Sequence, residues 1–177
     1  MTRTLERHES GLWLARARID KYEGDIAPFQ REGRAHEFLK RTKPYDVFEE
    51  EGNILVTAGI TALLQLLGAT ASPTAFSNAN GYLGVGDSNT AASAGQTDLQ
   101  ASSNKLRKAM DSTYPSVSGA VITWKATFAS GDANFAWEEW AIFNASSSGT
   151  MLNRKVASMG TKASGSSWAF TVTVTLS

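Results

Sequence analysis

The sequence predicts a mainly β protein: an antiparallel β-sandwich or jelly-roll-like domain with one short helix and an extended N-terminal arm. Three observations carry this prediction. After Gly81 several segments alternate apolar and polar residues with the period of a strand, Gly/Ser/Asn/Asp clusters separate them at hairpin spacing, and charge density changes near Gly52. Residues 1–52 hold ten of the 17 basic and eleven of the 17 acidic side chains, so the remaining 125 positions carry only seven and six.

The charged segment 1–52 has widely spaced hydrophobes: Trp13, Phe29, Phe38, Tyr45 and Phe48. Glycines and Pro28 divide it, leaving room for short helices over 11–22 and 34–41. No sustained apolar stripe runs through it, so we expect an arm that lies over the following domain or binds a neighbouring molecule through those five aromatic residues. The domain proper then spans 53–177.

"TAGITALLQLLG" predicts a helix at about 58–67. Thr57 would cap it, Ile60, Leu63, Leu64 and Leu67 would form its apolar face, and Gly68 would end it. "YLGVG" reads as a short strand, and in "AVITWKATFA" Ile122, Trp124, Ala126 and Phe128 share one face. "FAWEEWAIF", "MLNRKVASMG" and "WAFTVTVTLS" complete the strands, with "SGDAN", "NASSSGT" and "TKASGSS" as turns. Residues 88–118 make a long connection in which "LRKAM" is either a strand entrance or a helical turn.

Several chemistries are poorly served by these residues. Equal numbers of acidic and basic side chains give a formal net charge of +0, so no global field draws nucleic acid or an anionic membrane. The apolar run around "ALLQLL" is short for a membrane span, and residues 1–30 carry charges where a leader would be apolar. Cysteine is absent, and His8 and His36 have no partner at ligand spacing, so neither a metal nor any other cofactor is expected.

"GYLGVGDSNTA" resembles a phosphate cradle only superficially. Gly84 and Gly86 are followed by Asp87, where a nucleotide loop needs lysine, and tight turns explain the glycines better. Glu138 and Glu139 are adjacent on one strand and point to opposite faces, so they cannot flank a single glycosidic bond. One of them faces inward and needs a donor; we expect a structural ion pair of Glu139 with Arg154, Lys155 being the other candidate. Lys105, Arg107 and Lys108 form a small basic cluster that reads as a solvated connector rather than a nucleic-acid site. Trp124, Trp137, Trp140 and Trp168 are the raw material for a carbohydrate platform, but their alternating positions favour a core.

In order, "EGNILVTAGITALLQLL", "YLGVGDSNTAASAGQTDLQ", "LRKAM" and "EEWAIFNASSSGTMLNRKV" resemble structural proteins of tailed bacteriophages. The matching stretches are Gly84–Gly86, the Thr97, Asp98, Leu99 triplet, Glu139–Phe143 and Leu152–Arg154, with Ala141 where those proteins usually carry glycine. The resemblance covers roughly 50–177. It implies a non-enzymatic virion component, and the arm favours a capsid decoration or cement protein on the head exterior that contacts the major capsid protein or another virion protein. Self-association, with a trimer as the implied order, belongs to the same expectation; we also expect residues 86–104 to run over the outside of the domain as a surface or interface loop, the residues concerned being Gly84 just before it and Gly86, Asp87, Thr97, Asp98 and Leu99 within it. The alternatives are a tail, neck or tail-fibre attachment protein and, from a different class, a carbohydrate or receptor-binding module with an exposed tryptophan.

Overall fold

A computed structural model describes residues 13–177. The strands are β1 (Trp13–Glu23), β2 (Asp46–Glu51), β3 (Ile54–Leu55), β4 (Tyr82–Gly86), β5 (Lys105–Ala109), β6 (Ser116–Ser118), β7 (Val121–Phe128), β8 (Ala136–Phe143), β9 (Met151–Thr161) and β10 (Ser166–Leu176). The helices are α1 (Ala27–Arg31), α2 (Ala35–Arg41) and α3 (Thr57–Gly68). Two five-stranded antiparallel sheets result, one ordered β2-β1-β10-β7-β6 and the other β3-β9-β8-β4-β5.

Both sheets stay open at their edges rather than curling into a closed roll, so the architecture is a two-sheet sandwich and not a jelly roll. Among the described residues there are three helices rather than the one expected of the domain, and α2 falls on the short helix allowed for over 34–41. Two of them lie in the segment read as an arm.

That segment is the largest correction. From Trp13 onward it is built into the sandwich, because β1 pairs along its whole length with β10 and on its other edge with β2. Its inward positions are Ala15, Ala17 and Ile19, all buried, while Leu14, Arg16 and Arg18 point out. The alternation is carried by small residues between charges, so the stretch reads as a charged helix when from Trp13 it is an interior strand. Arg16 bonds Glu51 and Arg18 bonds Glu49 across the strand pair, the second at 2.5 Å. The part of the expected arm before Trp13 lies outside the described residues.

Between the sheets, Trp137 stacks edge-on against Phe128 and Trp168, both centroids 4.7 Å away, and Trp140 meets Phe170 at 5.7 Å. Such pairs add roughly 0.5–1.5 kcal/mol each beyond area burial. Strict alternation would send Trp137 and Trp140 to opposite faces, yet both are in this core. A register shift between Trp137 and Glu139 resets the phase of β8, turning Trp140 inward and Glu139 outward.

A second cluster, Tyr22, Ile26, Phe38, Ala129 and Ala169, is built where α1 and α2 pack beside the first sheet. Pro28 at the start of α1 presets the helical turn, and Gly33, at φ +69°, makes the left-handed step between the two helices. Among the described residues no helix is long and apolar enough to cross a membrane.

Candidate functional site

The outer face of the second sheet is covered by the chain between β4 and β5. Leu99 is buried there with Val56, Ala141, Phe143 and Met151. Glu139, fully buried, holds this connection down: its carboxylate accepts the backbone N–H of Gln100 at 3.0 Å and of Ala101 at 2.8 Å, and the Nε–H of Arg154 at 2.6 Å. Arg154 is also fully buried and donates through Nη1 to Gln96 Oε1 at 3.0 Å. The structure therefore brings the expected pair together, and the pair clamps a loop rather than merely satisfying a core carboxylate.

Gly84 and Gly86 lie within β4, not in a turn, and their function is clearance. A Cβ on Gly84 would stand 2.7 Å from Phe143 and one on Gly86 2.5 Å from Glu139 Oε1. The glycines let the loop and the ion pair sit directly on the strand. No phosphate cradle is formed.

Asp98 is the second anchor. It accepts from Arg107 Nη2 and Lys105 Nζ, both at 2.9 Å, and from the backbone N–H of Leu99 at 2.8 Å. Partial burial raises its pKa, but these donors outweigh that and hold the carboxyl below its usual range. Arg107 also lies 3.5 Å over the Phe143 ring. Asp87 accepts from Asn104 Nδ2 at 2.7 Å, and Thr97 is exposed at the surface of the loop.

The aromatic residues expected to bind a partner mostly serve the protein itself. Trp13 and Phe48 pack against the main core, Phe38 is buried, and Phe29 lies 5.5 Å from Phe38. Tyr45 alone of the five is exposed, and its hydroxyl accepts from Trp168 Nε1 at 3.2 Å. Incorporation of β1, α1 and α2 into the sandwich is the reason.

Other chemistries find little support. Trp124, Trp137, Trp140 and Trp168 are all buried, so none of these four offers an exposed stacking surface. Lys105 and Arg107 are spent on Asp98, and Lys108 on Asp132 at 2.6 Å, so the basic cluster carries little free charge. Among the described residues no group of three or more His, Cys, Asp or Glu side chains could hold a metal ion.

Lys162 is a strongly perturbed titratable group. It is almost fully buried, donates to Asn134 Oδ1 at 2.9 Å, and bonds no carboxylate directly. Desolvation pulls its pKa from 10.5 down to about 8 against the opposing fields of Asp132 and Asp25, with Lys108 adding to the depression. Below pH 8 both folded and unfolded chains hold the proton, so the cost of the buried charge is fully present. Between about pH 8 and 10.5 the unfolded chain binds more protons, and stability should rise with pH, by about 3 kcal/mol in all. Urea titrations across that range should show the rise in the native chain and lose it in Lys162→Met.

The feature that sequence reasoning misplaced is the face of α3. Gly59 and Ala62 are its buried positions and, of the four residues expected on the apolar face, Leu63 packs against the main core, whereas Ile60, Leu64 and Leu67 point outward, Leu67 at 85 % exposure. The cause is close approach: a Cβ on Gly59 would fall 2.2 Å from the carbonyl oxygen of Leu152, so the helix touches β9 backbone-to-backbone along its small-residue side. Val56, not Thr57, is the N-cap, and Ala69 in the left-handed conformation, not Gly68, follows the last turn. Beside the helix an apolar cavity of about 310 Å³ opens between Trp13, Leu63, Leu66, Phe76, Trp124 and Leu176. No charged side chain occurs from Asn53 to Gly86, a signal visible in the sequence that an outward helix face here would be uncharged.

No protein-family model matches the sequence, and no curated protein or solved structure matches it either.

Proposed function

We propose that this chain is a non-enzymatic structural component of a tailed-bacteriophage virion, a head decoration or cement protein on the capsid exterior. The single observation that carries an assembly role is the outward, uncharged leucine face of α3. A freely solvated helix places charged residues there, and a face of this kind is stable in water only when another surface covers it. The ordered motifs that resemble phage structural proteins are what supports a virion as the assembly, with the major capsid protein or another virion protein as the proposed neighbour. The loop over the second sheet is pinned by the ion pairs of Glu139 with Arg154 and of Asp98 with Arg107, which supports a structural use of these charges.

Attachment through an N-terminal arm is not retained for residues 13–51, whose strands and helices are committed to the sandwich. The α3 face is the contact surface that supports the assembly reading instead. Purified particles of the phage that encodes the chain provide the test, by peptide mass spectrometry and immunogold labelling. We expect the chain in the particles with label over the head. Label confined to the tail would replace the head reading with the tail or fibre one, and absence from particles would overturn the virion assignment.

A further inference from the structure

We infer that copies of this chain bind one another through α3, with the helices packed side by side about a rotational axis. This deepens the assembly reading by naming the surface and its occupant. Ile60, Leu64 and Leu67 are spaced four and then three residues apart, the d-a-d spacing of a helix seam, and all three face outward. Leu66 and Leu176, at the rim of the neighbouring cavity, widen the patch on one side.

Area supports a partner of the patch's own size. Ile60, Leu64, Leu66, Leu67 and Leu176 are 40 to 85 % exposed, and together present on the order of 500 Å² of apolar surface, near the upper end of what a monomer carries. Doubled across a two-copy contact, this reaches the roughly 1,000 Å² that a specific interface needs.

Charge argues for a second copy over other occupants. Helices that lie on membranes carry lysines and arginines on their polar side, and α3 has none. A different protein is ordinarily selected by complementary charges at the rim, but the stretch 53–86 offers no charge to select with. The formal net charge of +0 leaves no long-range repulsion between copies, and closed symmetric association lets one patch satisfy itself.

Analytical ultracentrifugation of the full chain at micromolar concentration tests the inference. We expect a mass of two or more whole chains for the native protein and for V117K, which alters an exposed apolar residue on the β6 edge. The mass should fall to that of one chain in L64K/L67K. A monomeric native chain, or an L64K/L67K variant that keeps the native mass, would overturn the inference.

If L64K/L67K fails to fold, single-cysteine chains give the same answer, because the native sequence has no cysteine to interfere. Leu67→Cys should oxidise to a crosslinked pair at least ten times faster than Val117→Cys. Equal rates would count against the seam. Self-association and virion location are read by separate experiments, so failure of one does not imply failure of the other.

Discussion

Replacing Glu139 with alanine is expected to lower the unfolding free energy by about 3–5 kcal/mol, the cost of leaving a buried charge without its partner. Arg154, itself fully buried, would lose the one carboxylate it pairs with among the described residues, and the N–H groups of Gln100 and Ala101 would lose their acceptor. The comparison within the same molecule is Glu49→Ala, which breaks the exposed pair with Arg18 and should cost no more than about 1 kcal/mol. Substituting both members, Glu139→Met with Arg154→Met, should recover part of the loss because the stranded charge is gone. Recovery should be incomplete, since the loop amides remain without an acceptor. Urea denaturation of the variants measures these differences, and a Glu139→Ala cost near that of Glu49→Ala would mean that the clamp contributes little. Limited proteolysis adds a local readout, with new cleavage expected between residues 88 and 104.

Gly59→Ala sets two effects against each other. Alanine within a helix is favoured over glycine by about 1 kcal/mol, which alone predicts a more stable protein. The new methyl would, however, meet the backbone of Leu152 at 2.2 Å, where no side-chain rotation can relieve the contact. We expect the clash to win and the variant to lose about 2–4 kcal/mol, in the range of overpacked or displaced core elements. Thermal unfolding checks the sign. A raised midpoint would show that α3 stands further from β9 than this structure has it.

These two sites also show why some features could be read in advance and others could not. Strands β7, β9 and β10 and the glycine- and serine-rich turns between them announce themselves through alternation and turn chemistry, both local properties. The existence of α3 is local too, and its observed span, Thr57–Gly68, differs little from the expected 58–67. Its orientation is not, because the leucines form the larger apolar face and the burial of Gly59 follows from a backbone approach made by a strand far along the chain. β1 escapes notice for a different reason: Ala15 and Ala17 give too weak an apolar signal between Arg16 and Arg18 to mark an interior strand.

Within the candidate site, the pairing of Glu139 with Arg154 follows from neighbouring strands and the need to neutralise a buried carboxylate. That the pair grips Gln100 and Ala101 does not follow, and neither does the clearance provided by Gly84 and Gly86. Both depend on how the long connection folds back over the sheet. The register shift in β8 likewise sends Trp137 and Trp140 to one core by a tertiary irregularity that no alternation rule contains.

The central claim is that the outward face of α3 is a contact surface. Hydrogen–deuterium exchange over residues 57–68 tests it most directly, comparing the chain diluted until it is monomeric with the chain in its assembled form. Protection of these amides should increase on assembly while the exposed β6 strand, at residues 116–118, exchanges at the same rate in both. Unchanged exchange across α3, with protection appearing on another face instead, would contradict the claim.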